Sequence, residues 1–260
     1  ERGSIFVRCD YNGNWIVRPL MNEIFGKENF RNEIVVKKSG VPQPEFYNLR
    51  FNPYTETLLL YSKSFLFRVN PIRLPRKQQD LIPMHMPKEN KNRNVIFING
   101  EEFVAPKGRH FPSQTYVDEL VRNNRIEIIE RDYIDVFGEK QARIPYFRPK
   151  DFDIANSNWT SIPSYSQTQD FPTENSEILL KRVIESTTNK GDLVMDFFLG
   201  SGTTTAVAHK LGRKWIGVEM GEHFWTVVLP RMKKVLAYDK SGISKEQDVK
   251  ETYNEKTAGG

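Results

Sequence analysis

The sequence predicts an α/β fold, in which an incomplete doubly wound sheet is interrupted by an irregular insert. Two observations predict this class. Residues 176–219 read in order as helix, strand, glycine loop, helix and strand, which is the pattern of a parallel crossover unit. Residues 71–165 instead contain most of the prolines and only short β-like runs. We therefore expect two regular blocks of one core, with the insert between them.

Four segments follow from these changes in composition. Residues 1–70 form the first part of the core, residues 71–165 the insert, and residues 166–237 the part of the core that contains the glycine loop. Residues 238–260 are rich in Lys, Glu, Ser and Gly, which predicts a flexible or truncated tail. The chain opens without a methionine and runs at once into a strand, so we also expect that a preceding part is missing.

The first segment begins with a strand and a helix. The helix is predicted over residues 14–25 because Trp15, Ile16, Leu20 and Ile24 recur at helical spacing, and Gly26 supplies a stop. Strands are predicted at residues 4–7, 33–36, 57–61 and 65–69.

The insert carries a candidate surface for nucleic acid. Lysine and arginine outnumber the acids between Arg73 and Arg109, and a basic, loop-rich insert is typical of such a surface. Lys107 and Arg109 are candidate phosphate contacts, although a solvated loop explains them as simply. A solvated irregular domain with scattered charges explains the whole region about as well. Short strands are predicted at residues 94–98, 101–105 and 125–129, with a helix at residues 115–123.

The third segment is the most regular. Its first helix, residues 176–187, has one apolar stripe that contains Leu179, Leu180, Val183 and Ile184. A strand is predicted at residues 193–197, a glycine loop at 199–202, a helix at 203–211 and a strand at 215–219.

Composition excludes several classes of protein. No apolar run approaches the roughly 20 residues of a membrane helix, and no secretory signal is visible. Cys9 is the single cysteine, which excludes an internal disulfide and a zinc site of several cysteines and suits a cytoplasmic protein. We predict no metal site. The formal charge of +5 permits an anionic partner without demonstrating one.

The glycine loop carries the sharpest chemical signal. A strand that ends on Asp196 is followed by Gly200 and Gly202 at the start of a helix, so a ligand can approach the backbone closely. Glu219 ends the next strand, where an acid can accept hydrogen bonds from both hydroxyls of a ribose. Thr205 replaces the third glycine of a dinucleotide site, and no lysine follows Gly202 as it would in a phosphate loop. A nucleoside cofactor without a pyrophosphate remains, and S-adenosylmethionine is the candidate.

These motifs resemble those of a known family. Residues 196–204 resemble the Asp-Pro-Phe-x-Gly-Ser-Gly-Thr-Thr motif of amino-methylating DNA methyltransferases, with Phe197 where proline is usual. Residues 215–219 are similar to the second-strand motif of that family. Residues 171–177, Phe-Pro-Thr-Glu-Asn-Ser-Glu, resemble its upstream segment over the methionine end of the cofactor. The order of these motifs along the chain is that of the β class of the family. The sequences of the motifs resemble most those of the modification subunits of type III restriction–modification systems. Further matches to those subunits are residues 99–101, 106–109 and 241–246.

The resemblance implies a Rossmann-like methyltransferase core with a target-recognition insert, and it implies roles for individual residues. Phe198 would shape the adenosine pocket and Glu219 would hold the ribose. Thr173 and Glu174 would touch the amino-acid end, although Thr173 as a helix-start residue and Phe198 as core remain alternatives. The implied cofactor-binding residues are Thr173, Glu174, Asp196, Phe198, Gly200, Ser201, Gly202, Thr203, Thr204 and Glu219.

The motif that positions the acceptor amine is missing. The family uses Asp-Pro-Pro-Tyr, which in this order precedes the cofactor motif, and no Pro-Pro pair occurs in the sequence. Asn52-Pro53-Tyr54 is a weak substitute, for which an ordinary turn is the favoured interpretation. Methylation of cytosine at carbon 5 is disfavoured, because it needs a nucleophilic cysteine. The single cysteine, Cys9, follows an arginine inside a predicted strand. We therefore assign no catalytic residue.

The parent protein is expected to be an adenine-N6 DNA methyltransferase of a restriction–modification system. We expect this chain by itself to bind S-adenosylmethionine weakly, if at all, and to transfer no methyl group. Double-stranded DNA is the expected partner, with a second copy and a restriction subunit by analogy and no membrane. A cytosine-N4 methyltransferase and a catalytically silent DNA-binding remnant remain alternatives, whereas a small-molecule methyltransferase is disfavoured by the basic insert.

Overall fold

The computed structural model describes residues 3–38, 51, 53–76, 80–87, 93–134, 138, 140–166 and 171–259. These residues fall into two compact units. The first unit consists of Glu1–Ile72 and Ile154–Gly260, and the second of Arg73–Asp153. The backbone N–H of Ala155 donates to the carbonyl of Ile72 at 2.9 Å, so the chain leaves and re-enters the first unit at one place.

The first block of the first unit is a three-stranded antiparallel arrangement with one helix. Strand β1 pairs with β3, and β3 pairs with β2. The elements are β1 (Ser4–Cys9), α1 (Asn14–Phe25), β2 (Phe30–Lys37) and β3 (Thr55–Ser62). Asn52, part of the Asn-Pro-Tyr sequence, lies outside the described residues.

Helix α1 has the bounds that its periodicity predicts, but the stripe that predicted them is not buried. Trp15 and Ile24 are each 68% exposed, and Ile16 and Leu20 are also exposed. Met21, on another face, is buried and packs with β3. The predicted strand at residues 65–69 is wrong, since this segment contains a turn and irregular chain.

The second unit contains short strands around one helix. Strands β7 and β8 form an antiparallel pair, and β10 and β11 form another. A core cluster of its own holds the unit together, with Ile96, Phe103, Phe111 and Leu120 among its buried members. The elements are β4 (Arg73–Pro75), β5 (Ile82–Pro83), β6 (Met86–Pro87), β7 (Val95–Ile98), β8 (Glu101–Val104), β9 (Arg109–His110), α2 (Gln114–Arg122), β10 (Ile126–Ile134), β11 (Lys140–Phe147) and β12 (Phe152–Ile154).

The second block of the first unit contains the predicted crossover. Strand β13 pairs in parallel with β2, which is why the chain after residue 153 belongs to the first unit, although the insert was predicted to extend to residue 165. Strands β14 and β15 are parallel, with Leu193 opposite Lys214, and helix α4 connects them. The elements are β13 (Asn158–Pro163), α3 (Glu177–Thr187), β14 (Leu193–Asp196), α4 (Thr203–Lys210), β15 (Lys214–Gly217), α5 (Leu229–Leu236) and α6 (Gln247–Lys250).

The predicted α/β class is therefore confirmed, and the Rossmann-like sheet is incomplete. Its described strands form a four-stranded sheet, ordered β1-β3-β2-β13, and a separate two-stranded sheet of β14 and β15. One face of the smaller sheet packs on α4 and the core beneath it. The other face exposes Leu193, Met195, Ile216 and Val218. Parallel sheets are usually covered on both faces, so this open apolar face is unusual.

The segment beyond Tyr238 differs from the predicted flexible tail. Ile243, Val249 and Tyr253 are each 1% exposed and belong to the same core cluster as the residues of α4. The Tyr253 hydroxyl donates to the carbonyl of Val235 at 2.5 Å, and burial raises the pKa of Tyr253 to about 12. A few well-placed apolar residues are enough to fix the segment, because each is fully removed from water.

Two observations limit the kinds of site the described ranges can form. No group of three or more His, Cys, Asp or Glu side chains there lies in a position to share a metal ion. None of the helices in the described ranges has both the length and the apolar character needed to span a bilayer.

Candidate functional site

The glycine loop lies between the carboxyl end of β14 and the first turn of α4, as the sequence predicts. Gly202 has φ +79°, and a Cβ there would lie 3.2 Å from Cγ1 of Val228. The left-handed backbone and this close approach both favour glycine. Its carbonyl accepts a hydrogen bond from the Thr205 hydroxyl at 3.0 Å, which fixes the loop to the helix that follows.

The Asp196 carboxylate accepts hydrogen bonds from residues on both sides of this loop. One carboxylate oxygen accepts the backbone N–H of Phe198 at 3.0 Å, and the other accepts the hydroxyl of Thr204 at 2.6 Å. Two predicted site residues, Asp196 and Thr204, are thus in direct contact. The carboxylate holds the end of the strand against the start of the helix.

Glu219 meets the loop from the neighbouring strand. Its Oε2 accepts the backbone N–H of Gly200 at 2.8 Å, and its Oε1 accepts that of Gly221 at 2.9 Å. The Nε2 of His223 lies 3.2 Å from the same carboxylate. The hydrogen bond from Gly221, followed by those from Gly200 and His223, holds the pKa of Glu219 below its ordinary value. The carboxylate is therefore ionised at neutral pH and lies directly against the loop.

Gly217 allows the two strands to bring these carboxylates to one place. A Cβ at this position would lie 2.6 Å from a methyl carbon of Leu199 and 2.9 Å from one of Thr205. Both distances are shorter than real side chains allow, so the loop and helix can approach the strand only because residue 217 is glycine.

Two aromatic residues beside the glycine loop, Phe171 and His223, are not among the predicted site residues. The Phe171 ring lies 5.2 Å from the ring of His223, and it also approaches Gly200. His223 stands four residues after Glu219, but Glu219 does not lie in a helix, so helical spacing gave no signal for this contact. The Phe171 ring and the imidazole therefore border the loop on the side of the 171–177 segment.

Phe198 is solvent-exposed rather than part of the core. It is 85% exposed and contacts Phe197 with the ring centroids 5.1 Å apart and the ring planes tilted by 58°. Met220, which follows Glu219 and was not predicted, is fully exposed. Thr173 is exposed as well. Exposed aromatic and thioether groups beside a glycine loop offer a surface that a flat ring can cover.

Three other predicted site residues lie inside the protein. Glu174, Ser201 and Thr203 are 0%, 4% and 2% exposed. The Glu174 carboxylate and the Thr203 hydroxyl are each 2.9 Å from the same nitrogen of Arg231, which the sequence analysis did not single out. The expectation that the Glu174 side chain touches a ligand is therefore corrected: its carboxylate is buried against an arginine.

A second polar network anchors the same upstream segment to the four-stranded sheet. Arg8 donates to Glu56 at 2.8 Å and also donates to the side chain of Asn175. The Tyr165 hydroxyl donates to Glu56 at 3.0 Å, and the Arg8 guanidinium lies 4.2 Å from the centre of the Tyr165 ring. Burial, together with the nearby carboxylates, raises the pKa of Tyr165. The segment is thus held on two sides.

The candidate phosphate contacts lie in the second unit. Lys107 is exposed, whereas Arg109 is half-buried with a guanidinium nitrogen 3.3 Å from Nδ1 of His85. Arg109 therefore has a packing role in its own unit.

A comparison with protein families identifies the group to which this architecture belongs. The family model N6_N4_Mtase, described as DNA methylase, matches residues 1–229. The chain belongs to the N6_N4_Mtase family of DNA methylases. The matched range includes both blocks of the first unit as far as the start of α5. It therefore contains the glycine loop and the carboxylates of Asp196 and Glu219.

Individual relatives agree with this family. The "Probable type III restriction-modification enzyme HindVI Mod subunit" of Haemophilus influenzae is 26% identical over 321 residues, covering 94% of this chain and 43% of that protein. The "DNA adenine methyltransferase YhdJ" of Escherichia coli is 40% identical over 77 residues, covering 30% of this chain and 26% of that protein. The crystal structure of an M1.HpyAVI-SAM complex is similar with a TM-score of 0.45 and 18% identity, over 89% of this chain and 74% of that one. The chain spans about half the length of the first curated relatives that it matches.

Proposed function

We propose that this chain carries the cofactor-binding part of a DNA methyltransferase that uses S-adenosylmethionine. One observation carries the proposal: the ionised Glu219 lies at the carboxyl end of a parallel strand and is bonded to the backbone of the glycine loop. Ligands of open α/β sheets bind outside the carboxyl ends of the strands. An acid at this place is suited to the two hydroxyls of a ribose.

The residues around the loop fit such a cofactor. Each oxygen of Glu219 accepts one backbone N–H and Nε2 of His223 lies 3.2 Å from Oε2, and a carboxylate has about four acceptor sites, so capacity for a ribose hydroxyl remains. The exposed ring of Phe198 can cover an adenine, and Met220 offers a second apolar surface. The cofactor itself supplies a sulfonium-activated methyl group, and these side chains bind and orient it.

We further propose that the acceptor is the N6 amine of adenine in double-stranded DNA. The names of the relatives support this choice, since YhdJ is named a DNA adenine methyltransferase and the HindVI protein a Mod subunit. By the same analogy the whole protein would act in a restriction–modification system, with a second copy of itself and a restriction subunit. The single cysteine supports a location in the cytoplasm.

Methyl transfer by the chain alone is not expected. The Asp-Pro-Pro-Tyr sequence that positions the acceptor amine in the resembling family does not occur in these 260 residues. The side chains at the glycine loop can bind a nucleoside cofactor, and we assign none of them as the acceptor for the hydrogens of a target amine. The chain is therefore proposed to bind the cofactor weakly and to leave DNA unmodified.

Titration with sinefungin, an unreactive analogue of the cofactor, tests the binding proposal. We expect weak, saturable binding that Glu219→Gln weakens about tenfold or more, since a charged hydrogen-bond acceptor contributes roughly 1.5–3 kcal/mol. Glu222→Gln, an exposed neighbour, is the matched control and should bind as the wild type does. A folded chain that binds no sinefungin, or a Glu219→Gln variant with unchanged affinity, would overturn the proposal.

Methyl transfer is tested with duplex DNA and labelled S-adenosylmethionine. No label should pass to DNA from the 260-residue chain. A longer protein that includes an Asp-Pro-Pro-Tyr sequence should label it, and digestion to nucleosides should give N6-methyladenine. N4-methylcytosine in that digest would replace the adenine assignment, and efficient transfer by the chain alone would show that its own residues hold the acceptor.

A further inference from the structure

Arg231 lies on α5 and is enclosed by protein on every side. Only 3% of the residue is exposed, although arginine is almost never buried without partners. The helix packs against the glycine loop, and a Cβ at Gly202 would lie 3.8 Å from Cδ of Arg231. The guanidinium therefore sits behind the loop, on the side away from solvent.

One guanidinium connects two segments that are far apart in sequence. Its Nη1 donates to the hydroxyl of Thr203 at 2.9 Å and lies 3.4 Å from the carbonyl of Ser201, both in the glycine loop. The same nitrogen donates to Glu174 at 2.9 Å, and Nη2 donates to Glu177 at 3.1 Å. The loop and the 171–177 segment are thereby fixed to one rigid planar group.

The surrounding charges hold this arrangement. The Glu177 carboxylate is shared with Lys210, which is 0% exposed and pairs with it at 3.1 Å. Lys210 also pairs with Asp239 at 3.0 Å, which connects the network to the segment after α5. Buried ion pairs of this kind are retained only with close geometry and several hydrogen bonds, so the loop has little freedom to shift.

We propose that Arg231 is a positioning residue for the cofactor site, which holds the Ser201–Thr203 loop and the Glu174–Glu177 segment in the one arrangement that a ligand can enter. This inference rests on the proposed function for its ligand. Arg231 touches no ligand itself, because its guanidinium is covered by the loop. Glu174 and Thr203 act through Arg231, and neither side chain reaches the surface.

The arginine is suited to this role by its shape. A guanidinium presents five N–H donors in a fixed plane, whereas a lysine ammonium is a single point charge. Arg231→Lys keeps the charge but cannot reach both segments at once. It should therefore restore only part of the binding that a neutral residue loses.

The test compares sinefungin affinity and thermal unfolding in four variants. Arg231→Met alone removes the guanidinium from a buried carboxylate and can fail to fold, so the informative variant is the double change R231M/E174M, which removes the pair together. Arg231→Lys is the conservative variant, E174Q keeps a neutral acceptor for the arginine, and Lys234→Met on the exposed side of α5 is the control.

We expect R231M/E174M to unfold near the wild-type temperature and to bind sinefungin at least tenfold more weakly. Arg231→Lys and E174Q each keep part of the bonding between Arg231 and the 174–177 segment, so both should fall between the two, while Lys234→Met should bind nearly as the wild type does. Hydrogen exchange of the amides at residues 200–204 and 171–177 should be faster in the double variant, with that of β1 and β3 unchanged.

Each contrary result has its own meaning. Wild-type affinity and exchange in the folded double variant would overturn the inference and leave the proposed function standing. A loss in E174Q larger than in the double variant would place Glu174 at the ligand and also overturn it. A folded wild-type chain that binds no sinefungin would overturn the proposed function, and the ligand role of Arg231 with it.

Discussion

The Glu219 carboxylate makes several of the interactions on which the candidate site depends. Its carboxylate accepts hydrogen bonds from the backbone of Gly200 and Gly221 and faces His223. These interactions favour the charged form, which is why the pKa of Glu219 lies below its ordinary value. The residue that would bind a ribose also stabilises the ligand-free loop.

This lowered pKa predicts how stability depends on pH. A group whose pKa is lower in the folded state stabilises the protein above its ordinary pKa, which is 4.5 for this carboxyl group. It loses that contribution as the pH falls through the folded value. The difference in unfolding temperature between the wild type and Glu219→Gln should therefore shrink as the pH falls from about 5 to about 3.

Thermal denaturation across that pH range measures the effect. The exposed variant Glu222→Gln corrects for general charge changes. A wild-type advantage that grows as the pH falls below 4.5 would contradict the assigned hydrogen bonds.

At the scale of elements, the carboxyl-terminal segment shows that composition and burial can disagree. Its Lys, Glu, Ser and Gly content predicts a solvated tail, yet Ile243, Val249 and Tyr253 close the core next to α4 and α5. The backbone N–H of Ile243 also donates to Glu177, so the segment is bonded to the network around Arg231. Three apolar residues at suitable positions outweigh the polar majority.

Replacing Tyr253 with alanine should therefore destabilise the protein strongly. The change leaves a cavity in the core and removes one hydrogen bond to the carbonyl of Val235, and large-to-small changes at buried aromatic positions cost about 3–5 kcal/mol. Urea denaturation monitored by circular dichroism measures the loss. Glu255→Ala, in an exposed surface pair with Lys240, should be nearly neutral. Unchanged stability in Tyr253→Ala would mean that the segment is solvated in solution.

At the scale of the whole molecule, the second unit is an insertion into the first. The chain leaves after Ile72 and returns before Ala155, and these two residues share a backbone hydrogen bond. The second unit has its own core around Phe111. Segments that leave and return at one place can often be removed without unfolding the host.

Excision of residues 73–153 should separate cofactor binding, proposed for the first unit, from the binding of duplex DNA, expected of the insert. A linker of about four Gly and Ser residues can replace the insert, because a tight turn needs no more. The shortened chain should fold by circular dichroism and bind sinefungin as the full chain does. Its salt-dependent retention of duplex DNA in gel-shift experiments should be lost. DNA binding that survives excision would assign DNA contact to the first unit instead.

The sequence by itself determined the part of this protein around the glycine loop, where the cofactor is proposed to bind. The β14–loop–α4–β15 order and the positions of Asp196 and Glu219 follow from local spacing and glycine chemistry, which depend on near neighbours in the chain. Tertiary structure alone decided which face of α1 is buried, that the last segment packs into the core, and that Arg231 meets Glu174, 57 residues away. The physical reason is that burial and charge pairing depend on which distant surfaces meet, and periodicity carries no information about that.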